Sequence, residues 1–423
     1  MDVGSRNPYA VRWATFASGE RMPFLIRVQD GLPLEEVTYW VTASRRPKGV
    51  QPNTLANELR VLAHLYVWAD ARGIDIGRRI REGKFLQMPE LIDLVQSCGR
   101  PISALINEIP SSVVVDTSMR YKGTFEPSQL EEKGKRLATI LSFVEFESSE
   151  VLLGLAAWPE RRDQYSAVRE HFIGIVRGYT RGAARRYVRN HHDLPEGLSK
   201  EAVERLRQVI DPNHPENPFT SAVRFRNYVI VRLLLELGMR RGELLGIKLG
   251  DCAINSASTI TLHRRPDDPE DPRPYKPATK TLPRKLRLSG ELAELLYDLI
   301  MRDRREIPGV HRHPFLIVSN QDGAAMSLSN INKILTDIRT RVPGLPVELS
   351  PHLLRHTWND EFSEEMDRKK VTPEMELKYR MYLMGWRSED TAAIYLRRTV
   401  RRRANEVLAE MHGKLLLAPR SKE

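Results

Sequence analysis

The stretch "NHHDLPEGLS" (190–199) interrupts a chain that reads mostly as a succession of helices. Pro195 and Gly197 break helical periodicity, so the segment reads as a linker between two separately folded parts. At 423 residues the chain is too long for one ordinary domain, and this break supplies the boundary. The expected organisation is an arm over 1–50, a helical domain over 51–190, a linker over 191–199 and a second domain over 200–423. The arm holds one strand-like piece, "PFLIRV", among turn-forming residues.

Helical spacing dominates the first domain. In "QPNTLANELRVLAHLYVWADARG", Leu55, Leu59, Leu62, Tyr66 and Ala69 share one face, Asn53 or Thr54 suits the cap, and Gly73 closes the helix. Further helices are expected around 89–97, 128–146 and 165–190, with no internal repeat. The last of them carries Arg177, Arg181, Arg185 and Arg189 at intervals of four, one guanidinium stripe suited to a sugar-phosphate backbone. A charge run is ordinarily a solvated face. Four adjacent like charges nevertheless repel unless an anion lies across them. The whole chain has 66 Lys plus Arg against 55 Asp plus Glu, a net charge of +11, which favours a polyanionic partner.

In the second domain Ser199 is placed to cap "KEAVERLRQVI". A long apolar helix follows, "RFRNYVIVRLLLELG", ended by Gly238. Arg232 and Glu236 interrupt this longest apolar stretch, so no segment is expected to span a membrane. Two strand-like pieces, "TITLHRR" and "RKLRLS", flank the Pro/Asp-rich loop "PDDPEDPRPYKPATK", and more helices follow. The fold class is mainly α with a small β-sheet, an all-helical front domain before an α+β domain. Cys98 and Cys252 are the only cysteines, too few for a disulfide framework or a cysteine-rich zinc site. With no signal-peptide layout at the start, "MDVGSRNPYAVRWATF", a reducing cytoplasm is expected.

Three stretches of the second half hold groups suited to phosphate chemistry. In "LGMRRGELLGIKLGD" (237–251), Arg240 follows the helix-ending Gly238, and Glu243 opens the next turn. In "LSPHLLRHTWNDEF" (349–362), His352 and Arg355 are three apart and share a helix face, Pro351 suits the first turn, and His356 adjoins Arg355. A helix start also attracts an anion. In "MGWRSEDTAAIYLRR" (384–398), Tyr395 lies nine residues after Trp386, between polar or small residues and a strongly basic run. That setting is unlike that of a core aromatic.

Taken together these blocks resemble the tyrosine recombinase (phage integrase) family. Its marks are an arginine in G-x-R-x-x-E-L, a lysine on a β-hairpin, H-x-x-R-H, Gly-His or Gly-Trp, and a tyrosine nine residues on. They read here as Arg240, a hairpin lysine, His352 with Arg355, Gly385-Trp386 and Tyr395, in that order, and Thr391 also fits. The resemblance covers roughly 196–415. Trp386 stands where many members carry histidine; its indole N–H can donate to a phosphate oxygen but cannot shuttle a proton. The hairpin is longer than usual. Lys280 stands at the expected distance before the second strand and is chosen, ahead of Lys276 and then Lys285.

The resemblance implies a helical core-binding (SAM-like) domain over 51–190 and a catalytic domain over 200–423 that close around double-stranded DNA. It implies catalysis by Arg240, Lys280, His352, Arg355, Trp386 and Tyr395 with no metal or cofactor, a 3′-phosphotyrosyl intermediate, and a homotetramer assembled on two DNA sites. Two guanidiniums would neutralise charge growing on the phosphate, and a lysine would protonate the departing 5′ oxygen. An integrase of a mobile element, cytoplasmic and associated with the nucleoid, is the expected role. Past the tyrosine, Leu396, Val400, Ala404, Val407 or Leu408, Met411 and Leu415 form an apolar stripe expected to dock on a neighbouring protomer. A type IB topoisomerase-like enzyme, or a non-catalytic DNA-binding protein of the same fold, are the rival expectations.

Overall fold

A computed structural model describes residues 7–109, 127–189, 196–266, 268–273, 275–277, 279, 281–389, 392, 404–405, 407–409 and 411–412, without the side chains of 127–131 and 183–189. The chain forms two compact units, Met1–Asp193 and Leu194–Glu423.

The first unit opens with an antiparallel hairpin, β1 (Tyr9–Thr15) and β2 (Arg21–Arg27), in which Tyr9 pairs with Arg27 and Thr15 with Arg21. Helices α1 (Glu35–Tyr39), α2 (Pro52–Asp70), α3 (Ile76–Arg81), α4 (Met88–Ser97), α5 (Ile102–Ile106), α6 (Pro127–Gly154) and α7 (Pro159–Arg189) follow. The stretch expected as an arm contributes Tyr9, Met22 and Leu25 to the same core as Leu55, Leu59, Leu62 and Tyr66 of α2. Gln51, not Asn53 or Thr54, precedes α2, because Pro52 fills the first helical position, where its missing N–H costs nothing. Gly73, at φ +63°, closes the turn beyond Asp70. Helix α6 continues past 146 to Gly154 and α7 starts at Pro159, again with proline in the first turn. On α7 Arg177 pairs with Glu145 at 2.6 Å, so one cation of the stripe already has a counter-charge. Arg181 is exposed, and the side chains of Arg185 and Arg189 lie outside the described residues.

The second unit contains α8 (Lys200–Ile210), α9 (Ser221–Leu237), α10 (Arg241–Leu245), strands β3 (Cys252–Ala253), β4 (Thr259–Leu262) and β5 (Arg284–Arg287), then α11 (Gly290–Asp298), α12 (Leu328–Arg341), α13 (Pro351–Arg368) and α14 (Pro373–Met384). The three strands form an antiparallel sheet in the order β3-β4-β5, with Ile260 opposite Leu286 and Leu262 opposite Arg284. Ser199 caps α8 by accepting from the Ala202 N–H. Helix α9 is buried along Val229, Ile230, Val231, Leu233, Leu234 and Leu235, which explains its continuous apolar sequence. Among the described residues no helix is long and apolar enough to cross a membrane. Ala404, Val407, Leu408 and Met411 are helical and exposed, while Leu396, Val400 and Leu415 lie outside the described residues.

Two features fix the surroundings of the functional motifs. The Pro/Asp-rich loop between β4 and β5 is stapled down: buried Arg273 pairs with Asp271 and donates to the carbonyls of Leu245 (2.9 Å) and Met326 (3.0 Å), while Lys248 pairs with Asp268 at 2.7 Å. At the start of the unit, the Gly197 N–H donates to Asp360 Oδ2 (2.8 Å) and the Leu198 N–H to Thr357 Oγ1 (2.9 Å). A Cβ on Gly197 would lie 2.5 Å from Thr357 Cα, so only glycine fits against α13 there.

Candidate active site

Arg240 is carried by the junction of α9 and α10. Gly238 ends α9 at φ +57°, in the left-handed region, with its Cα so close to Trp358 that a Cβ would sit 2.7 Å from the indole. The chain then turns, and Glu243, in the first turn of α10, accepts the Arg240 N–H at 2.9 Å. This local bond sets the backbone from which the Arg240 side chain projects. Its Nη1 is buried and makes no hydrogen bond; Glu243 Oε1 lies 3.6 Å from it.

His352 and Arg355 come from the first turns of α13, where Ser350 caps the helix and Pro351 occupies its start. Arg355 is buried. Its Nη1 donates to the Gly238 carbonyl at 2.6 Å and its Nη2 to the Met384 carbonyl at 3.3 Å, so the guanidinium bridges the ends of α9 and α14. Its Nη1 also stands 3.9 Å from Glu243 Oε2. The indole of Trp386 lies under the guanidinium, 5.4 Å from ring centroid to Cζ. The His352 and His356 rings meet edge to face at 4.4 Å, His356 being buried. Partial burial, then the charges of Arg355 and Arg240, push the His352 pKa below the ordinary histidine value. Both effects favour the neutral imidazole.

Glu243 is the hub. Arg284, at the start of β5, donates to both of its oxygens, at 2.9 and 3.3 Å, and the Thr281 hydroxyl donates to Oε1. Burial pushes the Glu243 carboxyl up, but the charge and hydrogen bonds of Arg284, the charge of Arg355 and the Thr281 hydroxyl outweigh it, holding Glu243 below the usual carboxylate range. Three guanidiniums, Arg240, Arg284 and Arg355, thus face one carboxylate, leaving this cluster two charges positive (3 − 1). Such an excess attracts an anion such as a phosphodiester.

The structure therefore brings Arg240, His352, Arg355 and Trp386 together. Lys280, Thr391 and Tyr395 lie outside the described residues. Of the other lysines, Lys276 donates its ammonium to the Asp268 carbonyl at 2.8 Å, and Lys285 is exposed on the strand face opposite Arg284. Among the described residues no group of three His, Cys, Asp or Glu could hold a metal ion.

Two arginines escaped the sequence reading. Arg284 shares the buried face of β5 with Leu286, and that inward charge is the signal that could have exposed it. Arg380, fully buried on α14, donates to the Asn359 carbonyl (3.0 Å) and Oδ1 (2.8 Å), while Asn359 Nδ2 donates to the Arg355 carbonyl at 2.8 Å. It braces α13 behind Arg355. Nothing in the local sequence distinguishes it from a surface arginine.

Residues 196–402 match the model of the phage integrase family. No curated protein matches the chain. Similar solved structures include the XerH site-specific recombinase bound to difH substrate, at 17% identity and TM-score 0.38, covering 76% of this chain and 91% of that one. Another is the Tn1549 transposon integrase with transposon right end DNA, at 14% identity and TM-score 0.36, covering 75% of this chain and 92% of that one. A lambda integrase tetramer bound to a Holliday junction shares 12% identity with a TM-score of 0.30, covering 91% of this chain and 96% of that one.

Proposed function

Through residues 196–402 the chain belongs to the phage integrase family of tyrosine recombinases, and from that premise we propose that it is a site-specific DNA recombinase. The observation that carries the mechanism is the convergence of Arg240 and Arg355, from distant parts of the chain, on either oxygen of Glu243. Their guanidiniums grip the non-bridging oxygens of one scissile phosphate and neutralise the charge that grows in its pentacoordinate transition state. Trp386 and His352 support that grip.

Tyr395 supplies the nucleophile. Its phenol, with an ordinary pKa of about 10, is unreactive in water, and nearby positive charge favours the phenolate. His352, held neutral, accepts the phenol proton. The phenolate oxygen bonds to phosphorus as the bond to the 5′ oxygen breaks, and Lys280 protonates that leaving oxygen. The resulting 3′-phosphotyrosyl bond conserves the energy of the backbone bond. A different 5′ hydroxyl then attacks it, joining new ends and releasing the tyrosine.

The partner is double-stranded DNA, bound by a homotetramer on two sites, and the role is integration for a mobile element in the cytoplasm, at the nucleoid. The exposed apolar residues Ala404, Val407, Leu408 and Met411 support docking of the terminal helix on a neighbouring copy. Arg177, Arg181, Arg185 and Arg189 are candidates for backbone contact, with Arg177 least available because Glu145 already engages it. Trapping on a nicked suicide substrate followed by denaturing electrophoresis tests the function. A covalent protein–DNA adduct is expected; its absence on the chain's own site refutes the enzyme.

A further inference from the structure

The proposed reaction assigns Arg240, Lys280, His352, Arg355, Trp386 and Tyr395, and leaves one buried cation of the same cluster without a role. We propose that Arg284 is a positioning residue that occupies Glu243 and so keeps its carboxylate from closing on the guanidiniums of Arg240 and Arg355. The proposal rests on the clamp reading of those two arginines.

The geometry separates two kinds of contact around one carboxylate. Arg284 is within hydrogen-bond distance of both Glu243 oxygens, at 2.9 and 3.3 Å. The guanidiniums of Arg240 and Arg355 stand off at 3.6 and 3.9 Å, beyond hydrogen-bond distance, although the Arg240 backbone N–H does donate to Glu243. A carboxylate among three guanidiniums will satisfy its lone pairs with whichever fork is best placed. If Arg284 were missing, Glu243 would close on Arg240 or Arg355 and cancel charge meant for substrate. Glu243 is thus a potential competitor of the scissile phosphate, and Arg284 restrains it.

The side chain is built for that task. Its Nε donates to the Leu383 carbonyl at 2.6 Å and its Nη1 to Thr281 Oγ1 at 3.2 Å, while the Leu282 N–H donates to the Gly385 carbonyl at 2.9 Å. One planar fork therefore joins α10, the hairpin strand and the end of α14 just before Trp386. A lysine ammonium, a single point of charge, cannot reach all of these together. Stability alone is a poor reason for the pair, because a buried ion pair rarely outperforms apolar packing of the same volume.

The test compares cleavage of an ordinary scissile phosphodiester with that of a methylphosphonate, which carries no charge to neutralise. Arg284→Met and Arg284→Lys are expected to bind the DNA site normally and to cleave the phosphodiester about 100-fold more slowly, as displaced catalytic groups do. On the methylphosphonate both should cleave at close to the wild-type rate. Equal losses on the two substrates, or no loss on either, overturn the proposal. Because Arg284→Met leaves a buried carboxylate less well paired, the double variant Arg284→Met/Glu243→Gln is read against Glu243→Gln alone. With no carboxylate to restrain, removing Arg284 is expected to cost no further rate; a further loss of tenfold overturns the proposal. Arg240→Ala is the control. If it too loses equally on both substrates, the clamp reading fails and takes this proposal with it; if it behaves as a clamp residue, a failure of the Arg284 variants counts against Arg284 alone.

Discussion

Glu243 and Arg284 meet at 2.9 Å with each side chain only 1% exposed. Such a pair is expensive to bury, and removing one partner of a buried pair commonly costs about 3–5 kcal/mol. Its position explains the expense better than its strength does. It stands where α10, the hairpin and the end of α14 meet, and in the reading proposed above it sets how far Arg240 and Arg355 stand from the carboxylate between them.

Replacing Tyr395 with Phe is expected to abolish the covalent adduct on a nicked suicide substrate while leaving site binding unchanged, since only one oxygen is removed. Mobility-shift and denaturing gels on the same samples read both. An adduct that persists in the variant refutes Tyr395 as nucleophile.

Arg240→Ala and Arg355→Ala should each slow cleavage about 100- to 1,000-fold, the range for losing one transition-state donor. Only Arg355→Ala should also lower the melting temperature strongly, because it leaves the Gly238 and Met384 carbonyls without the donors they now have. Single-turnover cleavage and thermal melting separate the two effects. Equal destabilisation by both variants contradicts this division.

The pH profile of cleavage is expected to carry the signature of His352. Burial and then the charges of Arg355 and Arg240 hold its pKa down, so a base needed in its neutral form keeps working below the ordinary histidine value of about 6.5. Activity should fall only as pH drops through the depressed value. Arg240→Ala removes one depressing charge, so its acid limb should move to higher pH. A limb that stays put in Arg240→Ala rules out His352 as the titrating group.

A 5′-bridging sulfur leaves without protonation. Lys280→Ala should therefore be slow on the normal substrate and restored on the sulfur substrate. Lys276, whose ammonium is spent on the Asp268 carbonyl, should show no such rescue. Rescue of Lys276→Ala in place of Lys280→Ala transfers the acid role to Lys276.

Gly385→Ala tests the close packing behind Trp386. Gly385 has φ +65°, and a Cβ there would lie 2.7 Å from Arg284 Nη1 and 2.9 Å from the Leu282 carbonyl oxygen. The strain is about 1–3 kcal/mol before any clash is counted, and cleavage should fall with stability. A variant with wild-type melting and rate shows that the hairpin need not approach so closely.

What could be read from the sequence was local. Leu55, Leu59 and Leu62 repeat with the helix period, Ser199 precedes its helix as a cap should, and Gly238 ends α9 where a left-handed residue was needed. Arg240, His352, Arg355 and Trp386 are grouped by their resemblance to the tyrosine recombinase family, not by any local pattern. What escaped depends on pairings between distant segments. The Pro/Asp-rich loop reads only as a connection between two strands, yet Arg273 is buried in it and donates to carbonyls of Leu245 and Met326 that no local pattern foretells. Arg284 and Arg380 were missed for the same reason: a buried arginine is defined by its partners, and those lie elsewhere in the chain.

Gly197 sets a rule for anyone grafting a foreign front domain onto this catalytic unit. Its amide is fastened to Asp360, and its missing side chain lets it lie against the backbone of Thr357, one turn or less from Arg355. A fusion joint made at 197 or beyond cuts into the catalytic unit itself, whereas one made upstream of it leaves that seam intact.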